Sequence, residues 1–269
     1  MIESERKQII DLVRREVIPA IGCTEPIAVA LCVAKTVETL GTKPENIKVF
    51  LSANILKNAM GVGIPGTGMI GLPIAVALGA IIGKSEYQLE VLKDSTPEAV
   101  KLGKQYINEK RVCISLKEGI AEKLYIEVLC EAEGKVATAI IAGGHTTFIY
   151  IARGEEILFS KQPVGTEEQD EQNLDLNLKK VYDFALTAPL EEIRFILETA
   201  RLNKAAAESS FQGDYGHALG KVLRGRYEHQ IMGDSVFSHI LSYTSAACDA
   251  RMAGAMIPVM SNSGSGNQG

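Results

Sequence analysis

The sequence lacks the features that would direct it to a nucleic acid or to an oxidising compartment. Its 28 lysines and arginines are outnumbered by 33 aspartates and glutamates, so neither a nucleic-acid surface nor a polybasic membrane patch is expected. Its five cysteines include no close pair and no zinc-type spacing, which is typical of a reducing compartment. We therefore expect a cytoplasmic protein whose partners are small molecules or other proteins.

Targeting and membrane-spanning segments are also missing from the pattern. Residues 1–15 alternate charged and apolar side chains and contain neither the apolar core nor the cleavage site of a signal peptide. The longest uncharged apolar stretch, residues 62–83, is interrupted by six glycines and two prolines. Such interruptions argue against a membrane span, so no membrane partner is expected.

The chain does contain enough apolar residues for a sizeable core, because 46% of its 269 residues are hydrophobic. Its periodicity predicts an α+β fold: an N-terminal α/β domain with a mostly antiparallel sheet over residues 1–165, then an all-helical domain over residues 166–269. The polar, acidic residues 162–174 mark the predicted boundary. The predicted helices cover residues 4–18, 26–40, 72–82, 97–109, 176–186, 190–209, 216–224 and 234–256. The predicted strands cover residues 46–55, 112–116, 124–130, 136–141 and 147–151.

Cys23 stands where a turn over residues 19–22 meets the start of a helix. Thr24 suits an N-cap, Glu25 suits the positive end of the helix dipole, and Pro26 is tolerated in a first turn. Backbone N–H groups that point at a thiol favour its thiolate, which would make Cys23 a base, a nucleophile or a metal ligand. The alternative is a small apolar side chain packed beside a helix start.

Two glycine-rich segments are candidates for binding an anion. Residues 58–71 carry five glycines in their last eleven positions, before a predicted helix. Residues 258–269 combine serine, asparagine and glycine. Each segment is equally explained without a ligand, the first as a tight connection and the second as a linker. Between two predicted strands, His145 and Thr146 follow two glycines and form a further candidate polar site, although a surface turn also explains them.

Three stretches taken together carry a resemblance to a known family. They are Ile21-Gly-Cys-Thr-Glu-Pro26, the glycine-rich residues 58–71, and Asp249-Ala-Arg-Met-Ala-Gly254 followed by Ser261-Asn-Ser-Gly-Ser-Gly-Asn-Gln-Gly269. In this order they resemble the L-cysteine desulfidases, relatives of the iron–sulfur L-serine dehydratases. The resemblance spans essentially the whole chain. The sequence does not contain the C-terminal cysteines that bind the cluster in this family. The chain therefore resembles a family member that is truncated before that part.

The resemblance implies a lyase that converts L-cysteine to hydrogen sulfide, pyruvate and ammonia with a [4Fe–4S] cluster instead of pyridoxal phosphate. It implies Cys23 as the proton acceptor. None of the other cysteines matches a cluster motif, so no metal ligand is assigned here. For the substrate we expect binding groups from the glycine-rich segments and their neighbours. The candidate substrate-binding residues are Asn58, Gly66, Thr67, Gly68, His145, Thr146, Arg251, Ser261, Ser263 and Asn267.

Several alternatives stay open at this point. Arg251 would neutralise a substrate carboxylate or would brace its helix against the other domain. One alternative is an L-serine dehydratase, which uses the same elimination with hydroxide as the leaving group. Another is a non-catalytic fragment that is completed by another chain. A binding domain for a small anion, without turnover, is a further alternative. The amino acid is the expected partner, with a homo-oligomer or a completing chain as possible protein partners.

Overall fold

A computed structural model of the protein describes residues 2–161, 176–225 and 233–262. The helices are α1 (Glu3–Glu16), α2 (Thr24–Leu40), α3 (Ala53–Ala59), α4 (Leu72–Ile81), α5 (Pro97–Asn108), α6 (Leu178–Thr187), α7 (Leu190–Ile193), α8 (Leu197–Gln212), α9 (Leu219–Leu223) and α10 (Val236–Met252). Short 3-10 helices cover Ser85–Glu90 and Arg194–Ile196. The strands are β1 (Val17–Ile21), β2 (Asn46–Leu51), β3 (Gly63–Ile64), β4 (Met69–Ile70), β5 (Val112–Leu116), β6 (Tyr125–Ala132), β7 (Lys135–Ala142), β8 (Phe148–Arg153), β9 (Glu156–Ser160) and β10 (Pro258–Asn262). The predicted α+β class is confirmed.

The main sheet has six strands in the order β5-β2-β6-β7-β8-β9. Strands β2 and β5 are parallel, and every other neighbouring pair is antiparallel. The mostly antiparallel sheet is therefore as predicted. Strand β9 was not predicted, and every one of its residues is exposed. A strand with no buried side is not marked by the alternation of apolar and polar residues from which strands are predicted.

Helix α2 is the centre of the molecule. Thirteen of its 17 residues are buried, because strands β6 and β7 contact one side of it and helix α4 contacts another. Helix α5 lies in turn on α4. The helix ends at Gly41, whose φ of 79° is left-handed, as the sequence predicted for a glycine stop. The helix that carries Cys23 and Glu25 at its start is therefore fixed on several sides.

The N-terminal elements are joined to the C-terminal helices. Strand β1 pairs antiparallel with β10, with Ile18 opposite Ser261. Arg6 of α1 forms an ion pair with Glu192 of α7 at 2.8 Å, and Lys180 of α6 lies 2.9 Å from Glu5. The C-terminal part is thus not purely helical, because β10 completes a sheet with a strand from the start of the chain. The predicted boundary at residues 165 and 166 lies outside the described residues, so that division stays a prediction.

Some predicted elements have different bounds. The strand predicted over residues 46–55 ends at Leu51, and α3 follows from Ala53. Residues 19–22 were predicted as a turn, but residues 19–21 belong to β1. The helix predicted over residues 190–209 is divided into α7, a 3-10 turn and α8. Among the described residues, no helix has both the length and the apolar character needed to cross a membrane.

Candidate functional site

Cys23 lies where its own segment meets the glycine-rich segment and the start of the C-terminal motif. Gly22 has a φ of 81°, and a Cβ at this position would lie 2.5 Å from Cγ of Pro65. Its carbonyl oxygen accepts a hydrogen bond from Nε of Arg251 at 3.1 Å. Residue 22 must therefore be a glycine both for its backbone conformation and for the close approach of Pro65.

The glycine-rich segment and the C-terminal motif also meet backbone to backbone. A Cβ at Gly63 would lie 2.5 Å from the carbonyl carbon and oxygen of Ala253. The amide of Gly66 donates to the carbonyl oxygen of Gly254 at 3.2 Å. Three stretches that are far apart in the sequence thus form one contiguous structure beside Cys23.

The thiol of Cys23 is 6% exposed and donates a hydrogen bond from Sγ to Oε2 of Glu25 at 3.0 Å. Cys23, not Thr24, is the N-cap residue of α2, and its side chain makes no capping hydrogen bond. Thr24 instead donates from Oγ1 to the same carboxylate oxygen at 3.2 Å. Both side chains that precede Glu25 are therefore directed at its carboxylate.

The environment keeps the Cys23 thiol protonated. Burial, followed by the hydrogen bond to Glu25 and the negative charge of Glu25, raises the pKa of Cys23 to about 12. The charge of Arg251 and a backbone hydrogen bond at the helix start lower this pKa, but by less. The expectation of a thiolate at the start of the helix is therefore wrong for the protein without substrate, because desolvation and a neighbouring carboxylate outweigh the helix terminus.

The polar groups of the candidate site lie around the Glu25 carboxylate. Nδ2 of Asn58, on α3, lies 3.5 Å from Oε1 of Glu25. His145, in the loop between β7 and β8, interacts electrostatically with Glu25. Arg251, on α10, interacts electrostatically with Cys23 and with His145. We call these five residues, Cys23, Glu25, Asn58, His145 and Arg251, the Glu25 cluster. Four of them are predicted site residues, and the structure brings them together from four elements of the chain.

Glu25 is the site residue that the sequence analysis did not single out. Its position in the first turn of α2 was explained by the helix dipole alone. Its place two residues after Cys23 is the signal that was available, because a side chain in the first turn is able to fold back to the N-cap residue. Ser95 was also not predicted: its Oγ is buried without a hydrogen-bond partner among the described residues, and its Cβ lies beside Gly66.

Two other predicted residues, Thr67 and Ser261, use their hydroxyl groups in hydrogen bonds within the protein. Oγ1 of Thr67 donates to the carbonyl oxygen of Ile64 at 2.7 Å and accepts from the amide of Met69 at 2.9 Å. Ser261 is fully buried, and its Oγ donates to the carbonyl oxygen of Ile18 at 3.1 Å. These hydroxyls hold the β3–β4 turn and the β1–β10 pair, respectively.

The remaining predicted residues differ in what the structure shows of them. The Gly66 amide is used by Gly254, as described above. Gly68 has a φ of 61°, and Thr146 is partly buried in the loop beside His145. Ser263 and Asn267 lie outside the described residues, so their assignment stays a prediction.

The cysteines of the described residues do not fit an iron–sulfur cluster. Cys32 and Cys130 are fully buried in the core, and burial raises the pKa of both thiols. Cys113 is exposed on β5. No group of three or more His, Cys, Asp or Glu side chains able to hold a metal occurs within the described ranges. The cluster implied by the family resemblance therefore has no ligand set in this part of the chain.

Comparison with known proteins decides the family. The serine dehydratase alpha chain family matches residues 86–269, which is more than half of the chain. This chain belongs to that family. The matched region includes His145 and Arg251 of the Glu25 cluster, whereas Cys23 and Glu25 precede it. The predicted family relationship is therefore confirmed.

Relatives of high identity are known from several bacteria. The chain is 82% identical to a UPF0597 protein of Bacteroides fragilis and 78% identical to one of Bacteroides thetaiotaomicron, with all of this chain and 63% of each relative covered. It is 44% identical to a UPF0597 protein of Oleidesulfovibrio alaskensis, again over the whole chain and 63% of the relative. The chain thus spans less than two thirds of the length of these relatives. No solved structure matches it.

Proposed function

We propose that this serine dehydratase-like chain carries the amino-acid site of an L-cysteine desulfidase-like lyase. The reaction is the α,β-elimination of L-cysteine to hydrogen sulfide, pyruvate and ammonia. The observation that supports it best is the convergence of three segments at Cys23, shown by the contacts of Gly22 with Pro65 and with Arg251. Enzymes need such a constellation because an elimination requires a base, a charge partner and a fixed substrate at the same point.

A base removes the α-proton, and the electron pair of the Cα–H bond becomes the second bond between Cα and Cβ. The Cβ–S bond breaks, and its electron pair leaves with sulfur as hydrosulfide. The resulting enamine tautomerises and is hydrolysed by water to pyruvate and ammonia. In this proposal Cys23 is the base, so its thiol must first lose the proton that it holds in the protein without substrate.

The other residues of the cluster have roles that suit an amino acid. His145 is neutral near pH 7, because burial lowers its pKa, while Glu25 acts to raise it and Arg251 to lower it. Arg251 is 4% exposed, and its Nε donates a hydrogen bond to the Gly22 carbonyl oxygen. This contact braces the backbone just before Cys23. The neutral imidazole of His145 and the side-chain amide of Asn58 are able to form hydrogen bonds with the polar ends of a small substrate.

The cluster cofactor of the desulfidases enters this proposal only as a requirement of the complete protein. In the family, it supplies a Lewis acid for the departing group. The described residues offer no ligand set for it, and we derive no step through it. The alternative to activity of this chain alone is a non-catalytic chain that is completed by another chain.

The test measures sulfide and pyruvate released from L-cysteine by the wild-type protein, Cys23→Ala and Cys113→Ala. We expect Cys23→Ala to lower the rate by roughly 10²- to 10⁴-fold, the usual effect of removing a general base. Cys113→Ala is the matched control, because Cys113 is exposed on β5 and distant in the sequence from the cluster. Equal rates for the two variants would refute the role of Cys23.

A second candidate is an L-serine dehydratase, which the name of the matching family favours. Its reaction differs only in the leaving group, which is hydroxide. The same assay with L-serine separates the two functions, since pyruvate is then formed without sulfide. A larger kcat/KM for L-serine than for L-cysteine would replace the desulfidase proposal by this one.

A further inference from the structure

The Glu25 carboxylate is surrounded by uncharged hydrogen-bond donors. On its own helix, the Cys23 thiol and the Thr24 hydroxyl donate to Oε2 at 3.0 and 3.2 Å. From α3, the amide of Asn58 lies 3.5 Å from Oε1. None of the ion pairs formed by the described residues includes Glu25, while Arg251 is directed at the Gly22 carbonyl.

The carboxylate is nevertheless ionised at neutral pH. Burial acts to raise the pKa of Glu25, but hydrogen bonds from Cys23, from the helix backbone and from Thr24 lower it below the ordinary value, as does the positive charge that His145 carries at the acid pH at which Glu25 titrates. His145 itself is neutral near pH 7. A half-buried negative charge that has neutral donors around it is a binding group for a small cation.

We propose that Glu25 binds the α-ammonium group of the amino-acid substrate and that this contact prepares Cys23 to act as a base. This inference rests on the proposed function, because it takes an amino acid as the substrate. The ammonium nitrogen is bonded to Cα, so an ammonium group at the carboxylate places the α-proton next to the thiol that shares Oε2. No other carboxylate in the Glu25 cluster is available for this contact.

The contact also explains how a protonated thiol becomes reactive. Without substrate, the negative charge of Glu25 holds the proton on the sulfur. An ammonium group neutralises that charge and adds a positive charge nearby, so the thiolate is no longer opposed by an anion. The thiol proton leaves to water, and the thiolate then takes the α-proton. Binding of the correct substrate therefore generates the base.

The test follows the ionisation of Cys23 directly. The protein is labelled with ¹³C at the cysteine Cβ, and the Cβ chemical shift of Cys23, assigned with Cys23→Ala, is measured against pH. We expect the wild-type thiol to titrate near pH 12. In Glu25→Gln, which removes the charge and keeps the shape, the pKa should fall by at least about one unit, a tenfold gain in thiolate at a given pH. Glu127→Gln is the matched control, because Glu127 is a partly buried carboxylate that accepts from Tyr125 and Lys117 on the sheet.

The second arm uses ligands that cannot react. L-Alanine has an α-ammonium group but no leaving group at Cβ, and propionate has the carboxylate alone. We expect saturating L-alanine to lower the Cys23 pKa in the wild-type protein and in Glu127→Gln, but not in Glu25→Gln. Propionate should leave it unchanged. An identical effect of both ligands, or an alanine effect that persists in Glu25→Gln, would overturn the proposal.

The wild-type comparison of L-alanine with propionate needs no variant, so it decides even if Glu25→Gln does not fold. Glu25→Asp adds a kinetic measurement, since it keeps the negative charge but moves the carboxylate away from the substrate by one methylene group. It should raise KM for the substrate by more than it lowers kcat. If elimination is found and depends on Cys23 while L-alanine leaves the thiol pKa unchanged, this inference fails and the proposed function stands. If no amino acid is eliminated but L-alanine shifts the pKa through Glu25, ammonium binding stands and the lyase proposal fails.

Discussion

Helices α2 and α6 both contain apolar residues, yet these residues lie in opposite environments. Helix α2 has 13 buried residues of 17, whereas α6 has none. Leu31 in α2 is fully buried, and Leu178 in α6 is 86% exposed. In α2 the apolar residues surround the helix, because a sheet covers one side and α4 another. In α6 they follow one face, and nothing among the described residues covers that face.

The difference shows which part of the molecule holds the candidate site in place. Cys23 and Glu25 begin the most buried helix, so their separation is set by the core and not by surface contacts. The C-terminal helices contribute Arg251 and the backbone of Ala253 and Gly254 from elements that touch the site. In contrast, α6, α7, α8 and the start of α10 expose large apolar side chains, namely Leu178, Leu186, Leu190, Leu197, Val236 and Phe237. We therefore expect substitutions to act very differently in the two regions.

The largest expected effect comes from removing a core side chain of α2. Leu31→Ala should lower the free energy of unfolding by about 2–5 kcal/mol, because the transfer of the side chain and the cavity both contribute. Leu178→Ala, the same change in α6, should alter it by no more than about 0.5 kcal/mol. Urea unfolding of the two variants measures both. Similar losses would mean that α6 is packed in solution against something outside the described residues.

A smaller effect is expected where the two regions touch. In Gly63→Ala the new Cβ would lie 2.5 Å from the Ala253 backbone, so the two segments must move apart at a cost of roughly 1–3 kcal/mol. Gly61→Ala is the matched control, since no atom lies within 4 Å of its Cβ position. Thermal unfolding compares the variants. Equal midpoints would show that the close contact between glycine-rich segment and C-terminal motif does not form.

The smallest expected effect concerns the helix caps. Thr96 and Asn177 each accept a hydrogen bond from a backbone amide at the start of α5 and α6, and alanine at either position should cost about 1 kcal/mol of helix stability. For Thr96→Ala this loss should appear in global unfolding, because α5 packs on α4. For Asn177→Ala it should appear as faster hydrogen exchange of the α6 amides with an unchanged unfolding midpoint. Global destabilisation by Asn177→Ala would contradict the comparison.

Elements with strong local patterns were predictable. Strand β5 has the predicted bounds, and α4 ends within one residue of its predicted end. Strand β1 was missed because residues 17–21 include a proline and lie before a turn glycine, and their partner β10 is more than 230 residues away. Strand β9 was missed because it has no buried side. Pairing with a distant strand has no local signature in the sequence.

The sequence by itself determined most of the candidate site: a cysteine at the start of an apolar helix, a glycine-rich segment, and an arginine near the C-terminal motif. It explained Glu25 only by the helix dipole. It also determined the α+β class through its periodicity. Only the tertiary structure decided that Cys23 is a protonated donor and Glu25 the ionised acceptor. The physical reason is that a pKa depends on burial and on charges brought close by folding, and neither is encoded in the spacing of residues along the chain.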